Sequence, residues 1–335
     1  MITELQSTLD YVLDYTKDLL TIPGISGHED EVASYFCSKL GSYGTPFRDS
    51  IGNCHLRLGN NQSDFKILVT AHMDSVGFVV KDIKDDQEVD VLPVGIHQLD
   101  QYHNIEALAV GERSSVQGLL LAENNKEPKF IINKGELAIP EAAIDVGDQV
   151  LAVKPMEMQS TAKTLKGCWL DNRVGLSVLM NLAKEIPPDI SAEILIVASV
   201  REEIGAKGIE SVLRMHDPDV AIVLDATWTQ PSVIRGQGPV LTVLDPSVCV
   251  KPGDRRFITD LASELSIPLQ KEVLSQGASD AGPLNRAGIP TFCIMFPVDG
   301  LHSPAEVVSL DDIAWNFLLA KSLLFRLKSH IKRAL

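Results

Sequence analysis

The chain has 335 residues, 45 acidic and 30 basic side chains, and a formal charge of -15. That balance excludes a nucleic-acid or anionic-membrane partner, since either needs a basic surface. The length exceeds one small core and predicts two domains. The composition, 45% hydrophobic and 22% charged, is that of a globular protein.

Leu9, Val12, Leu13, Leu19 and Leu20 recur at helical spacing, so residues 3–20 read as an amphipathic helix that Pro23-Gly24 ends. Ser26-Gly27-His28-Glu29 has the capping-box pattern, with Ser26 as N-cap and Glu29 reaching back, ahead of a second helix to Gly41. Phe65–Ala71 is an apolar strand that ends in His72-Met73-Asp74. From 75 to 163 short strand-like segments alternate with turns, and helical periodicity is almost absent. This stretch reads as a small β-rich insertion, β-barrel-like or a sandwich. His28, His97 and His103 are read as surface histidines.

Helical and strand grammar then alternate again. A helix follows Asp171-Asn172-Arg173. Ile194–Val200 is an unbroken apolar run that stops at Arg201-Glu202-Glu203-Ile204-Gly205. Such a run predicts a strand buried on both faces of a parallel sheet. Val220–Leu224 is another, ending in Asp225, and Pro290–Phe296 leads through a short loop to His302-Ser303-Pro304. The expected fold is a three-layer α/β catalytic domain with a mostly parallel central sheet flanked by helices, made of 1–74 and 164–335. The β-rich domain of 75–163 is inserted into it.

Ligands in open α/β sheets bind beyond the carboxyl ends of the strands. His72, Asp171, Glu202, Glu203, Asp225 and His302 can therefore converge although they are far apart in sequence. Two imidazoles with several carboxylates suit zinc, cobalt or manganese. They exceed one tetrahedral site and fit two ions about 3.5–4 Å apart, which acidify a bound water. A further carboxylate is then free to act as base. Asp74 is placed to accept the second imidazole N–H of His72. Taken singly, each residue also has a plain role: a core histidine, a helix N-cap or a loop residue.

The ordered motifs Ala71-His72-Met73-Asp74-Ser75, Asp171-Asn172-Arg173-Val174-Gly175, Arg201-Glu202-Glu203-Ile204-Gly205, Asp225-Ala226-Thr227, Ser279-Asp280-Ala281 and His302-Ser303-Pro304 resemble the glutamyl/deblocking (TET-like) aminopeptidases, metallopeptidase family 42. The resemblance runs along essentially the whole chain. It implies two divalent metals per subunit, with His72 and Asp225 on one, Glu203 and His302 on the other, and Asp171 bridging them. It implies Glu202 as general base and Asp74 as the residue orienting His72. The implied reaction is removal of the N-terminal residue from peptides with a free N-terminus. The implied assembly is a homo-oligomer, from dimer to dodecamer, formed through the insertion. Two positions depart from the family pattern: Asn172 stands where a second acid is usual, and Phe296–Leu301 lacks the usual basic residue before His-Ser-Pro.

Two other functions are compatible with the chain: a glycosidase using two carboxylates, which leaves both histidines without a task, and an inactive scaffold of the same fold. Five scattered cysteines, no leader-like N-terminus and no apolar run near the ~20 residues of a membrane span lead to the expectation of a soluble cytoplasmic protein.

Overall fold

The computed structural model describes residues 2–85, 87–95, 98–123, 126–132, 144–159 and 161–334. His97 lies outside them. Its centre is a sheet of eleven strands. Four strands in its middle run parallel, in the spatial order Glu193–Ser199, Lys66–His72, Val220–Trp228 and Thr291–Asp299. The flanks are antiparallel: Cys54–Gly59 pairs with Glu193–Ser199 on one side, and Glu306–Ser309 pairs with Thr291–Asp299 on the other.

The apolar runs exist because these four strands are covered twice. Ile67, Val69 and Ala71 face one core, with Ile194, Ile196, Ile222 and Phe292. Leu68, Leu195, Val197, Val223 and Cys293 face the other. Period-2 alternation sends successive side chains to opposite faces, so both must be apolar. The helices Ile2–Leu19, Asp30–Leu40, Leu170–Glu185 and Leu310–Ala334 close the first face. Lys207–Met215 and Ala281–Arg286 cover the second.

A six-stranded closed barrel is inserted between His72 and the helix Leu170–Glu185. Its strands are Gly77–Ile83, Glu88–Val94, Ile105–Val110, Ser115–Leu121, Lys129–Ile132 and Gln149–Ala152. They enclose their own apolar core, centred on Phe78, Val91, Phe130 and Val150. Closure removes the exposed edges that short antiparallel strands would otherwise present. The chain re-enters the large sheet through Glu157–Gln159 and Thr164–Gly167. Among the described residues no helix is long and apolar enough to cross a membrane.

The expected capping box does not form. Ser26 Oγ donates to Asp74 Oδ2 at 2.6 Å and accepts no N–H from the next helix, which begins at Asp30 without a side-chain cap. Glu29 Oε1 does fold back, accepting the Gly27 N–H at 2.8 Å, but it also takes the Arg201 N–H at 3.1 Å. A buried carboxylate and a free amide across the fold compete successfully with a local cap, because unmet buried polar groups cost more than a lost surface cap.

Candidate metal centre

The site forms at the carboxyl ends of the parallel strands. His72 is the last residue of its strand and pairs with Ser199. Val223 pairs with Thr70, so two further residues on each strand bring Asp225 beside His72 on the same face. Their side chains meet, with His72 Nε2 3.2 Å from Asp225 Oδ1. Asp225 was expected to end its strand; it sits inside one that continues to Trp228. Asp171 enters from the first turn of the helix Leu170–Glu185, where its own backbone and that of Asn172 are not yet helical.

Asp171 lies between the two imidazoles. Its Oδ1 is 3.2 Å from His72 Nε2, and its Oδ2 is 3.1 Å from His302 Nε2. Glu203 Oε2 is 3.3 Å from His302 Nε2. Glu202 Oε2 stands further off, 3.9 Å from His72 Nε2. The adjacent glutamates thus turn to different histidines, as expected for consecutive residues leaving a strand.

All six side chains are buried or nearly so. Burial raises the Glu202 carboxyl well above its ordinary range, helped by the charges of Asp225, Asp280 and Asp74. Glu203 is raised for the same first reason, with Asp171 and Glu202 adding to it. Asp225 is raised by burial against the pull of His72. For His72 burial acts downward, but Asp225, Asp171 and Asp74 outweigh it and raise it well above the usual histidine value. A cluster so rich in desolvated acid needs positive charge to be stable ionised.

The donor atoms also fit cations. Three overlapping groups each bring donor atoms within 4.8 Å of one another: His72/Asp171/Asp225, Asp171/Glu203/His302 and His72/Glu202/Glu203. The first two share Asp171. Among the described residues Glu203 Oε1 is buried with no hydrogen-bond partner, and Asp171 Oδ1, although 3.2 Å from His72 Nε2, has no aligned hydrogen bond. A buried acceptor left without a donor is costly unless an ion takes its lone pair. Nitrogen and carboxylate donors in this number suit zinc, cobalt or manganese.

Asp74 meets His72 more closely with its main chain than with its side chain. His72 Nδ1 donates to the main-chain carbonyl of Asp74 at 3.0 Å, while the Asp74 carboxylate is 3.6 Å away. That carboxylate is already engaged by Ser26 Oγ and by the N–H groups of Glu202 and Glu203, at 3.0 and 3.1 Å. Glu306, which carried no signal in the sequence, does the same on the other side. Its Oε1 accepts the His302 N–H at 2.9 Å and its Oε2 the Asp171 N–H at 3.2 Å. Asp280, noted in the sequence without a role, ties the strand of His72 to its neighbour. It accepts from Ser199 Oγ and from Thr70 Oγ1, and burial raises it to about 6.

Arg201 and His302 hold φ values of 58° and 60°, and Trp169, two residues before Asp171, holds 64°. Such backbone costs a side-chain-bearing residue about 1–3 kcal/mol and persists only where surroundings over-determine it. Here the bonds to Glu29 and Glu306 supply that constraint. The barrel contributes too: Tyr102 Oη donates to the His302 carbonyl at 3.3 Å. Asn172, where a second acid was expected by resemblance, donates from Nδ2 to the Leu224 carbonyl at 2.8 Å. His103 is exposed and stands apart from this cluster, 3.9 Å from Glu123. His28 is partly buried, its Nε2 against the Gly147 carbonyl at 3.1 Å.

A family model for M42 glutamyl aminopeptidases matches residues 52–318. The lysyl aminopeptidase of Pyrococcus furiosus is 28% identical over 344 residues, covering 93% of this chain and 96% of that protein. The glutamyl aminopeptidase of Lactococcus lactis subsp. cremoris is 26% identical over 342 residues, covering 93% and 94%. In three dimensions the chain is similar to the aminopeptidase APDkam598 of the archaeon Desulfurococcus kamchatkensis, with a TM-score of 0.89 at 24% identity, covering 97% of this chain and 98% of that one.

Proposed function

The chain belongs to the M42 glutamyl aminopeptidase family and is a peptide hydrolase, and from that premise we propose that it removes N-terminal residues from peptides with a pair of divalent cations. The observation that carries this reading is Asp171, whose two oxygens face His72 and His302 separately, at 3.2 and 3.1 Å. His72 and Asp225 would hold one ion, Glu203 and His302 the other, and Asp171 would belong to both. When bound, the ions supply Lewis acidity toward the scissile carbonyl and lower the pKa of water.

The protein's own groups do the rest. Glu202 is the base: it takes the proton of the attacking water and returns it to the leaving amine. Its distance of 3.9 Å from His72 leaves it outside the tight contacts that join the other donors. The carboxylates of the cluster also attract the free α-amine of the substrate. Asp74 and Glu306 keep the ligand loops in place through their N–H groups.

The glycosidase alternative finds no support here, because two imidazoles lie inside the carboxylate cluster that it would need as a bare acid–base pair. We assign the barrel, together with the rest of 75–163, to an inserted domain that mediates homo-oligomer assembly. Leu92 and Val146, both well exposed on it, are in keeping with such a role. The five free thiols suit a reducing compartment such as the cytoplasm.

The test is metal analysis of the purified protein together with hydrolysis of aminoacyl-nitroanilides by chelated and metal-reloaded samples. Two ions per chain, with activity returning on reloading, are expected. A fully active chelated enzyme would overturn the mechanism.

A further inference from the structure

The cation cluster lies at the floor of a cavity of about 370 Å³. Apart from the cluster and Glu202, its wall is made of Gly205, Ala226, Trp228, Gly277, Ala278 and Leu301. We infer that this wall selects an uncharged, apolar N-terminal side chain and disfavours both basic and acidic ones. The inference rests on the aminopeptidase reading above and adds the substrate class to it. Family membership leaves that class open, since the two relatives carry names that differ in the sign of the charge removed.

Every ionisable group among the described lining residues already has a task. Asp171, Glu203, Asp225, His72 and His302 form the cation site, and Glu202 is the base. No other acid is left among the described lining residues to pair with a lysine-like side chain, and no base to pair with a glutamate-like one. Past Trp228 and Gly277 a second depression of about 550 Å³ adjoins the first. It adds Gln230, Val273, Leu274, Ser275 and Gln276, again without charge among the described residues. Arg235 lines the next depression, but its Nε is bound to Asp299 Oδ2 at 2.7 Å. Its charge is therefore matched before a substrate arrives.

The wall is apolar where it adjoins the cluster. Gly277 has a φ of 119°, and a Cβ there would meet Leu274 and the Trp228 ring at 3.8 and 4.0 Å. The ring of Trp228 stands edge-on to His302, with centroids 5.7 Å apart. Leu301 is buried beside it. A side chain lying against Trp228 and Leu301 loses water and gains apolar contact. A charged one loses its hydration and finds no counter-charge, which weakens it by more than a missing methylene would.

The experiment is a set of steady-state measurements on the metal-loaded enzyme with leucyl-, methionyl-, lysyl- and glutamyl-p-nitroanilide at neutral pH. We expect kcat/KM for leucyl or methionyl substrates to exceed both charged ones by at least about tenfold. Equal or faster release from the lysyl or glutamyl substrate would overturn the inference while leaving the aminopeptidase intact. No release from any of the four, with metal bound, would overturn the underlying reading itself. The variant Ala278→Asp, at an exposed position on the rim, places an acid in the wall. It should raise the lysyl-to-leucyl ratio about tenfold. An unchanged ratio would remove Ala278 from the subsite and count against the inference.

Discussion

The Asp74 carboxylate accepts the main-chain N–H of Glu202 at 3.0 Å and, with its other oxygen, that of Glu203 at 3.1 Å. One buried acid thus fixes both the proposed base and a proposed metal ligand without touching either side chain. Replacing it by asparagine keeps its volume but turns one acceptor toward those amides into a donor. Asp74→Asn should therefore lower kcat/KM or metal affinity by about 10–100-fold, the range seen when support of a metal site is lost. Kinetics paired with a metal titration would measure it, and a variant with wild-type values of both would refute the role. Glu306→Gln should act alike, through the N–H groups of His302 and Asp171.

Glu202 is predicted to separate chemistry from metal binding. Glu202→Gln keeps the size and burial of the side chain but cannot accept a proton. Its kcat should fall by roughly 10²–10⁴-fold, the usual contribution of a positioned base. Its metal content should stay at the wild-type level. If instead the ions were lost, Glu202 would be a ligand and the base would have to be sought elsewhere.

Much of this was legible because the strong signals are physical ones. Strands covered on both faces must be apolar throughout, so Ile194–Val200 and Val220–Leu224 stand out, and the ionisable residues that follow them mark the ends of a sheet. His302 was visible for a similar reason, as a loop residue just past such a strand. The supporting groups were not legible. Ser26 and Glu29 have the pattern of a local cap, and nothing nearby in sequence says that Asp74 and Arg201 will claim them. Glu306 sits in a short four-residue strand, and its value lies in two amides brought to it by the fold. The edge strands Glu157–Gln159 and Gln270–Val273 are three and four residues long, and each has a single apolar residue, Met158 and Val273, that is exposed, so no periodicity announces them.

Chelation should destabilise the protein as well as silence it. Four buried carboxylates face one another here, and burial already pushes Glu202, Glu203 and Asp225 upward. Cations bound only by the folded state add stability in proportion to RT ln(1 + [L]/Kd), about 4 kcal/mol at a thousandfold excess over Kd. Thermal melts should show Tm rising by several degrees when zinc or cobalt is returned to the chelated protein. Identical melts with and without metal would speak against cations held by this cluster.

Acid should destabilise the fold through a group remote from the site. His216 Nε2 faces His55 Nδ1 at 3.2 Å, and His55 Nε2 faces Asp49 Oδ2 at 3.3 Å. Burial first, then the positive charges of His55, Arg57 and Lys66, push the His216 imidazole down to about 4, against the weaker pull of Asp49. In the unfolded chain the same ring takes up a proton below its ordinary value of 6.5. Between the two values the unfolded state binds more protons than the folded one. Stability is then complete above pH 6.5 and declines as pH falls toward 4. His216→Gln removes the titration, so its Tm should change less than that of the wild type across this interval, measured on samples with equal metal content. Parallel slopes for the two proteins would assign the acid sensitivity to another group.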